Sequence, residues 1–316
     1  MQTDAAALSA DALPPRELPP VQAAREELAA RAIAVSSDDG VHATTLPGVD
    51  VIRAGRPSQP LPSVYHPSVC LVVQGRKHAL FDGRTYVYDT RHCLVLSTSL
   101  PITGRVVDAS PARPYLCLRI DLDPRIVDEL LPQLGPATPA QPAPGQPPLI
   151  QARTTPELLD AALRLMRLLD APATAPLLAP LILREVHVRL LAGELGPSLR
   201  TLCAADGRVR RVDRALVLLR QRYAESLRVE DLAEAAHMSP SALYAHFRAV
   251  TAMSPLQFQK RLRLQEARRL MLSAGLDAAD AARRVGYESP SHFGRDYRRL
   301  FGAPPRQDVQ RTQSAD

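Results

Sequence analysis

The sequence of 316 residues predicts a multidomain protein with an N-terminal domain of short strands and appended helices. A C-terminal all-α domain follows, with two helix-turn-helix motifs joined by a long helix. Between 44 and 122, short β-rich runs alternate with turns, which is typical of a small barrel or sandwich. Between 229 and 302, the same helix-turn-helix pattern occurs twice. The strand-rich region and the helical region divide the chain into two halves.

The net charge of +6 is distributed unevenly between these halves. The segment 206–316 contains 20 Lys and Arg against 13 Asp and Glu, whereas positions 1–205 contain 19 against 20. All of the excess positive charge therefore accompanies the duplicated pattern. A basic segment of this kind favours nucleic-acid binding over a merely solvated surface.

Composition also sets the expected boundaries. The Ala-, Pro- and Asp-rich segment 1–20 predicts a flexible tail. We expect an N-terminal domain over 21–195, a linker over 196–207, a basic domain over 208–311 and a short tail over 312–316. Within the basic domain, the two motifs are expected at 229–251 and 278–301.

The N-terminal half shows both strand and helix patterns. Asp82-Gly83 between two β-rich runs predicts a hairpin, and 115–122 alternates with a period of two. Helices are expected at about 21–35, 123–133, 157–169 and 177–192, whereas 132–148 contains seven prolines and predicts a loop. The last two helices would pack against the strands or against a second protomer, so a homodimer is one alternative.

Each copy of the duplicated pattern predicts a short helix, a tight turn and a second helix. Ser239 and Ser289 are natural N-caps, and each is followed by a proline in the first helical turn. Four-residue spacing then places one pair of apolar side chains on the inner face of each second helix. These pairs are Leu243 with Phe247 and Phe293 with Tyr297.

The turns and the connecting helix follow from the same pattern. His237 and Gly286 occupy equivalent turn positions, where a positive φ suits glycine and is tolerated by histidine. The segment 254–272 predicts one helix about 27 Å long. This length is close to one DNA turn of about 34 Å, so two rigidly held motifs could face successive major grooves. We expect about half of its basic side chains to serve only as solvated charges. They are Lys260, Arg261, Arg263, Arg268 and Arg269.

Over about 208–311 the chain resembles the AraC/XylS family of bacterial transcription regulators, and Val285–Pro305 is similar to the signature of that family. The resemblance implies a double-stranded DNA partner, contacted just after the caps Ser239 and Ser289 of each recognition helix. Carried over by position, the first helix offers Ser241, Tyr244, Ala245 and Arg248, and the second offers Ser291, His292, Gly294, Arg295 and Arg298. Arg295 is the candidate for bidentate guanine recognition, and Arg298 is expected on phosphate. Ala252 departs from the family glycine at a helix end, where a positive φ costs about 1 kcal/mol.

The N-terminal half resembles the AraC-type sensing domain, a cupin-like barrel, over roughly 44–190. The matching segments are Tyr65–Lys77, Leu100–Gly104 and Arg113–Pro124. This resemblance implies a small-molecule effector, of unknown identity, that controls a sequence-specific transcription regulator. RNA polymerase is a further expected partner if the protein is an activator.

An enzyme is the first alternative, because many cupins bind a metal ion. Such a site needs a His-x-His pair, a carboxylate and a distant histidine. His66, His78 and His92 lack this spacing. We therefore expect no catalysis, no metal and no cofactor, although a cupin-type metalloenzyme fused to a DNA-binding module remains an alternative.

A covalent electrophile sensor is the second alternative. Cys70, Cys93 and Cys117 lie in expected strands, where burial as small apolar side chains is the ordinary outcome. Because no Cys-x-x-Cys pair occurs, a zinc site and a disulfide framework are not expected. The chain lacks both a signal sequence and a run of roughly 18 apolar residues, so we expect no membrane span. The expected location is the bacterial cytoplasm, with nucleoid association in the DNA-bound state.

Overall fold

The N-terminal half is built on one curled antiparallel sheet in the computed structural model, which describes residues 19–135, 148–193, 196–203 and 208–313. The strands are β1 Gly40–Ala43, β2 Val49–Ala54, β3 Leu61–Tyr65, β4 Ser68–Gln74, β5 Arg76–Phe81, β6 Arg84–Asp89, β7 His92–Leu96, β8 Leu100–Asp108, β9 Tyr115–Asp121 and β10 Leu149–Arg153. Along the sheet the order is β1-β2-β9-β4-β7-β6-β5-β8-β3, with β10 paired to β7. The sheet is thus an open half-barrel with edges at β1 and β3, which refines the expected barrel.

Both faces of this sheet are buried. Leu116, Leu118 and Ile120 of β9 face the N-terminal helices, whereas Tyr115 and Cys117 face the interior of the curl. The alternation expected over 115–122 is confirmed, because successive strand side chains point to opposite faces. The hairpin at Asp82-Gly83 is also confirmed, since β5 and β6 pair from Phe81 opposite Arg84. The curl therefore has its own apolar interior, separate from the core beneath the helices.

In the described part of this half, five α-helices accompany the sheet. They are α1 Pro19–Ala34, α2 Pro124–Gln133, α3 Pro156–Arg167, α4 Ala175–Ala192 and α5 Gly196–Cys203. Asp123 and Thr155 cap α2 and α3 by accepting hydrogen bonds from backbone N–H groups. The helices expected at 21–35, 123–133, 157–169 and 177–192 are confirmed within a few residues.

The structure corrects three expected boundaries and adds a strand. The segment expected as a linker, 196–207, contains α5, because Leu199 is buried in the N-terminal core and holds this segment as a helix. The expected 1–20 tail contributes its last two residues to α1, and its first 18 lie outside the described residues. Strand β10 was not expected after the proline-rich stretch, of which 136–147 lies outside the described residues. At the C-terminus the last helix extends to Gln313, into the expected 312–316 tail, and 314–316 are not described.

The C-terminal half is helical and has two cores. Its helices are α6 Arg208–Gln221, α7 Val229–Ala235, α8 Pro240–Thr251, α9 Pro255–Ser273, α10 Ala278–Arg284, α11 Pro290–Phe301 and α12 Pro305–Gln313. The first core joins α6, α7, α8 and the beginning of α9, and the second joins the end of α9 to α10 and α11. The long helix expected over 254–272 is confirmed as α9. Within the described ranges, no helix is long and apolar enough to cross a membrane.

Edge strand β3 packs against the C-terminal half. Val64 is buried in the first helical core, and its backbone N–H donates to Oε1 of Gln265 on α9 at 2.6 Å. On the neighbouring strand β8, the Thr103 hydroxyl accepts a hydrogen bond from Arg261 of α9 at 3.4 Å. We call this surface, together with the α6 contacts that follow, the interdomain seam.

Helix α6 supplies the polar part of the interdomain seam. The Thr98 hydroxyl donates to the carboxylate of Asp213 at 2.7 Å, and Arg220 donates to the hydroxyl of Ser99 at 2.7 Å. Arg220 also lies 3.3 Å from Nδ1 of His66. Burial, with a smaller contribution from the positive charge of Arg220, lowers the pKa of His66 to about 4. The imidazole is therefore neutral in the folded protein at neutral pH.

This histidine predicts a pH dependence of stability. His66 has an ordinary pKa of 6.5 when unfolded, so the unfolded chain binds a proton between pH 6.5 and 4 that the folded chain excludes. Stability should fall by about 2 kcal/mol between pH 7 and pH 5 through this group alone. Between pH 7 and pH 5, the free energy of unfolding of His66→Gln should therefore fall by about 2 kcal/mol less than that of the wild type, as measured by chemical unfolding. His292→Gln, an exposed histidine outside the seam, should behave as wild type, and an unchanged slope in His66→Gln would contradict the assignment.

Candidate DNA-binding surface

The recognition helices α8 and α11 begin at the two serine caps. The Ser239 hydroxyl accepts from the N–H of Ala242 at 3.3 Å, and that of Ser289 accepts from the N–H of His292 at 3.4 Å. A proline occupies the first turn of each helix, where its missing N–H leaves no intrahelical bond unmade. Both expected helix starts are confirmed.

Buried aromatic side chains fix the rotation of each recognition helix. Phe247 packs edge-on against Phe258 of α9, with ring centroids 5.6 Å apart. In the second motif, the hydroxyl of Tyr297 donates to Asp308 of α12 at 2.7 Å, and Phe293 packs beside it. Because these side chains point inward, the opposite face of each recognition helix points outward.

The side chains carried over from the family lie on these outward faces. Tyr244, an unusually exposed large side chain at 43%, is the most prominent on α8. On the second helix, Arg295 makes no ion pair or hydrogen bond with the described residues, whereas Arg299 pairs with Asp296 at 2.5 Å. The exposed candidates are Ser239, Ser241, Tyr244, Ala245, Arg248, Ser291, His292, Arg295 and Arg298, and the half-buried ones are Ser289 and Gly294. Their contact with bases or phosphates stays a prediction.

An open groove of about 930 Å³ runs beside the second recognition helix. Five of its lining residues are cationic: Lys260, Arg263, Arg283, Arg295 and Arg299. Its acidic members are Glu288 and Asp296, and Asp296 already pairs with Lys260 at 3.1 Å and with Arg299. The remaining positive charge makes this groove attractive to a polyanion.

The two motifs meet at a small contact that we call the inter-motif junction. It comprises Arg263, Gly286 and the backbone carbonyls of Tyr223, Ala224 and Glu225. Tyr223 packs against the cores of both motifs. Gly286 approaches the carbonyl of Ala224 so closely that a Cβ at this position would overlap it. The sequence pattern gave no signal for this contact, because an arginine on a basic helix looks like a solvated charge.

The expected positive φ angles are confirmed at the turns and at one helix end. His237 has φ +51° and Gly286 has φ +84°, and Ala252 ends α8 at φ +58°. His237 is exposed, so its turn requires only a residue that tolerates the conformation. Gly286 is required for a second reason, namely the nearness of Ala224.

Fewer of the basic side chains of α9 are solvated than the expected half. Four of the five bond to other elements of the protein, whereas Arg269 is exposed and pairs within α9. Lys260 pairs with Asp296, Arg261 donates to Thr103, Arg263 joins the junction, Arg268 pairs with Asp308 and Arg269 pairs with Glu266. The first four of these side chains hold the helix against its neighbours, whereas Arg269 is a surface charge.

The interior of the curled sheet contains an unusual polar cluster. The ammonium of Lys77 lies 5.3 Å from the ring centroid of Tyr65 and 5.8 Å from that of Tyr115. No carboxylate pairs with Lys77 in the part of the chain that the structure describes. The hydroxyl of Tyr115 is buried and has no hydrogen-bond partner among those residues. Sequence reasoning missed this cluster, because Lys77 and Tyr115 are 38 residues apart.

The three histidines considered as metal ligands are not brought together. His66 lies in the interdomain seam, His78 is paired across β5 and β6 with Val87, and His92 lies 3.0 Å from Asp89. Among the described residues, no group of three or more His, Cys, Asp or Glu side chains could hold a metal ion.

The three candidate cysteines are buried. Burial raises the pKa of Cys93 to about 12, so its reactive thiolate is suppressed. Cys70 and Cys117 share a hydrogen bond that lowers the pKa of Cys70 and raises that of Cys117. Cys70 is thus the most easily ionised of the three, but only 3% of its surface is exposed.

Comparison with known proteins identifies both halves. Residues 45–198 match the model of the AraC-type transcriptional regulator N-terminus, and residues 232–311 match a helix-turn-helix domain model. The chain belongs to the AraC family of transcription regulators. The expected family is therefore confirmed by both domains in their expected order.

Curated relatives match this AraC-family protein over part of its length. A putative AraC-like transcription regulator of Streptomyces lividans is 36% identical over 29% of the chain and 30% of its own length. CdhR of Pseudomonas aeruginosa is 33% identical over 40% of the chain and 34% of its own length. ExsA of the same organism is 26% identical over 52% and 58%. The matched segments thus span less than two thirds of each relative.

Solved structures of ToxT share the fold of most of the chain. An apo structure of a ToxT variant from Vibrio cholerae superposes with a TM-score of 0.59 over 84% of this chain and 98% of ToxT. The sequence identity is only 9%, so the likeness concerns the fold alone. It confirms the expected combination of a sheet domain and a helix-turn-helix domain.

The close approach at Gly286 predicts an unusually large cost for a single methyl group. Gly286→Ala should lower the free energy of unfolding by about 2–4 kcal/mol, from positive-φ strain plus overlap with the Ala224 carbonyl. Gly302→Ala is the matched control, because Gly302 has φ +78° and open space around its Cα. It should cost only about 1 kcal/mol. Equal losses in urea unfolding would mean that the contact with Ala224 contributes nothing.

Proposed function

We propose that this protein is a sequence-specific regulator of transcription that binds double-stranded DNA and is controlled by a small effector in its N-terminal half. One observation carries the proposal. Two recognition helices, each with a defined start and an outward face of exposed polar and basic side chains, are held by one helix, α9. This arrangement allows one chain to read two neighbouring stretches of major groove.

The outward-facing side chains suggest separate roles in DNA binding. We assign base contacts to Tyr244 on α8 and to His292 and Arg295 on α11. The guanidinium of Arg295 can donate two hydrogen bonds to the O6 and N7 atoms of guanine, because it pairs with none of the described residues. Arg248 and Arg298, one turn further along each helix, suit backbone phosphates. Such a protein would reside in the cytoplasm and associate with the nucleoid when bound to DNA.

The polar cluster around Lys77 supports an effector site inside the curled sheet. An apolar interior with a few convergent polar groups is the usual form of a small-molecule site. The partnerless hydroxyl of Tyr115 is a hydrogen-bonding group that a ligand would satisfy. One ToxT structure is described as bound to an unsaturated fatty acid, and we propose for this chain only a small molecule of unassigned identity.

The interdomain seam offers a route from effector to DNA. In β3, Tyr65 lies against Lys77, whereas the adjacent Val64 lies in the first helical core. Because neighbouring residues of a strand face opposite ways, one strand contacts both the effector site and the DNA-binding half. An effector changes DNA affinity only if it binds one arrangement of these halves better than the other.

A homodimer through α4 is part of the proposal. Leu177, Leu178 and Leu181 on this helix are 74%, 43% and 64% exposed. Three large apolar side chains on one helix face favour a protein interface over water. Contact with RNA polymerase, if the protein is an activator, is a further part of the proposal.

Two alternatives have weaker support. A cupin-type metalloenzyme would need converging ligands, and the described histidines are dispersed. A covalent electrophile sensor would need an accessible thiolate, and the candidate cysteines are buried. All of the family and relative matches reported above are to transcription regulators.

The role assigned to Arg295 gives a test of the proposed function. Duplexes selected from a random pool by the wild type should share a consensus, and Arg295→Ala should weaken binding to it by about 1–3 kcal/mol. The loss should relax preference at one base position, as measured with single-base variants of the duplex. Arg299→Ala, on the same helix but paired with Asp296, is the control and should leave base preference unchanged. If Arg295→Ala weakened all sequences equally, Arg295 would be a phosphate contact instead.

The apolar face of α4 gives a test of the assembly. The wild type should sediment as a dimer at micromolar concentration, and Leu181→Glu should shift it to monomer, because a carboxylate would be buried in the interface. Leu256→Glu is the matched control, since Leu256 is 65% exposed on α9, outside this face. Monomeric wild type, or dissociation by both variants, would contradict the proposed interface.

A further inference from the structure

The inter-motif junction contains an arginine whose donors all point at backbone groups. Arg263 donates from Nε to the carbonyl of Tyr223 at 2.7 Å and from Nη2 to those of Ala224 at 3.2 Å and Glu225 at 2.9 Å. From Nη1 it donates to the carbonyl of Gly286 at 2.9 Å. Three of these acceptors follow α6 in the first motif, and the fourth is the turn of the second motif. One planar group therefore joins both motifs.

We propose that Arg263 determines the spacing at which the protein accepts its two DNA subsites. The inference rests on the proposed function, since it presumes that both recognition helices read DNA. Arg263 acts here as a positioning residue. It sets the distance and angle between the motifs and makes no contact with bases.

The geometry of the guanidinium is the first reason. Its N–H groups form a rigid fork in one plane, so four simultaneous hydrogen bonds fix direction as well as distance. A lysine ammonium on a flexible stem could satisfy some of these carbonyls but would not fix their relative orientation. The contact of Gly286 with Ala224 keeps the same two segments close together.

The geometry of DNA is the second reason. Adding one base pair between two subsites moves the second by about 3.4 Å and rotates it by about 35°. The covalent connection through α9 alone would allow the motifs to tilt about the ends of the helix. The junction lies between the motifs, on the side of α9 that lines the basic groove, and it opposes such a tilt.

A competing role for Arg263 is direct contact with a phosphate, because it lines the basic groove. The two roles differ in what they predict. A phosphate contact contributes equally at every spacing and adds to the salt dependence of binding. A positioning residue changes the penalty for wrong spacing and leaves the salt dependence nearly unchanged.

The experiment uses the full-length protein and the consensus duplex that the wild type recovers from a random pool. Duplexes with one base pair added or removed between the two conserved blocks are compared with the original. We expect the wild type to lose about 100-fold in affinity at the altered spacings, which corresponds to the loss of one or two base contacts. Arg263→Lys should bind the original duplex more weakly, and its spacing penalty should fall to about tenfold or less.

Arg269→Gln is the matched control, an arginine of the same helix that pairs with Glu266 outside the junction. It should retain the full spacing penalty. Circular dichroism would show whether Arg263→Lys folds, and Arg263→Gln, which keeps a donor amide, replaces it if not. An undiminished spacing penalty in a folded Arg263 variant would overturn the proposal, and so would an equal loss at all spacings with a shallower salt slope. Recovery of no consensus by the wild type would count against the proposed function itself.

Discussion

Helix α9 is packed on three sides, and the rest of the structure depends on that packing. Its first turns contribute Phe258 and Leu262 to the core of the first motif, and its last turns contribute Leu264, Ala267 and Met271 to the core of the second. A third face carries Arg261 and Gln265 to the sheet. A helix that is packed on three sides has little freedom to move alone. Any displacement of α9 must therefore be shared by both motifs and by the edge of the sheet.

The sheet domain achieves a comparable restraint by burying both faces. Side chains such as Leu118 and Cys117, adjacent in sequence, belong to different apolar clusters. The outer cluster is filled by helices α1, α3 and α4, whereas the inner cluster is closed by the curl of the sheet itself. Within that inner cluster, Lys77 and the tyrosines around it are the polar exception. An effector that entered there would meet a preformed set of polar groups, surrounded by side chains that resist displacement.

Much of this architecture could be predicted from the residues, and the exceptions have physical causes. Ser239 with Pro240 and Ser289 with Pro290 marked the recognition helices, because capping is a local interaction encoded within four residues. Helix α5 and strand β10 were not expected, since Leu199 and Leu149 are fixed by contacts distant in sequence. The same holds for the candidate site. Outward-facing positions such as Arg295 follow from helical period, but the partners of Arg263 are carbonyls, which have no signature in the sequence.

Strand β3 has one further consequence for the behaviour of separated fragments. It is an edge of the sheet, paired only with β8 on one side, and on the other side the N–H of Val64 is satisfied by the side chain of Gln265. Unpaired strand edges with apolar side chains are templates for intermolecular β-pairing and aggregation. The helical half therefore acts as an intramolecular cover for this edge. A truncated N-terminal half would expose Val64 together with the unsatisfied edge, and its solubility would depend on how that edge is capped.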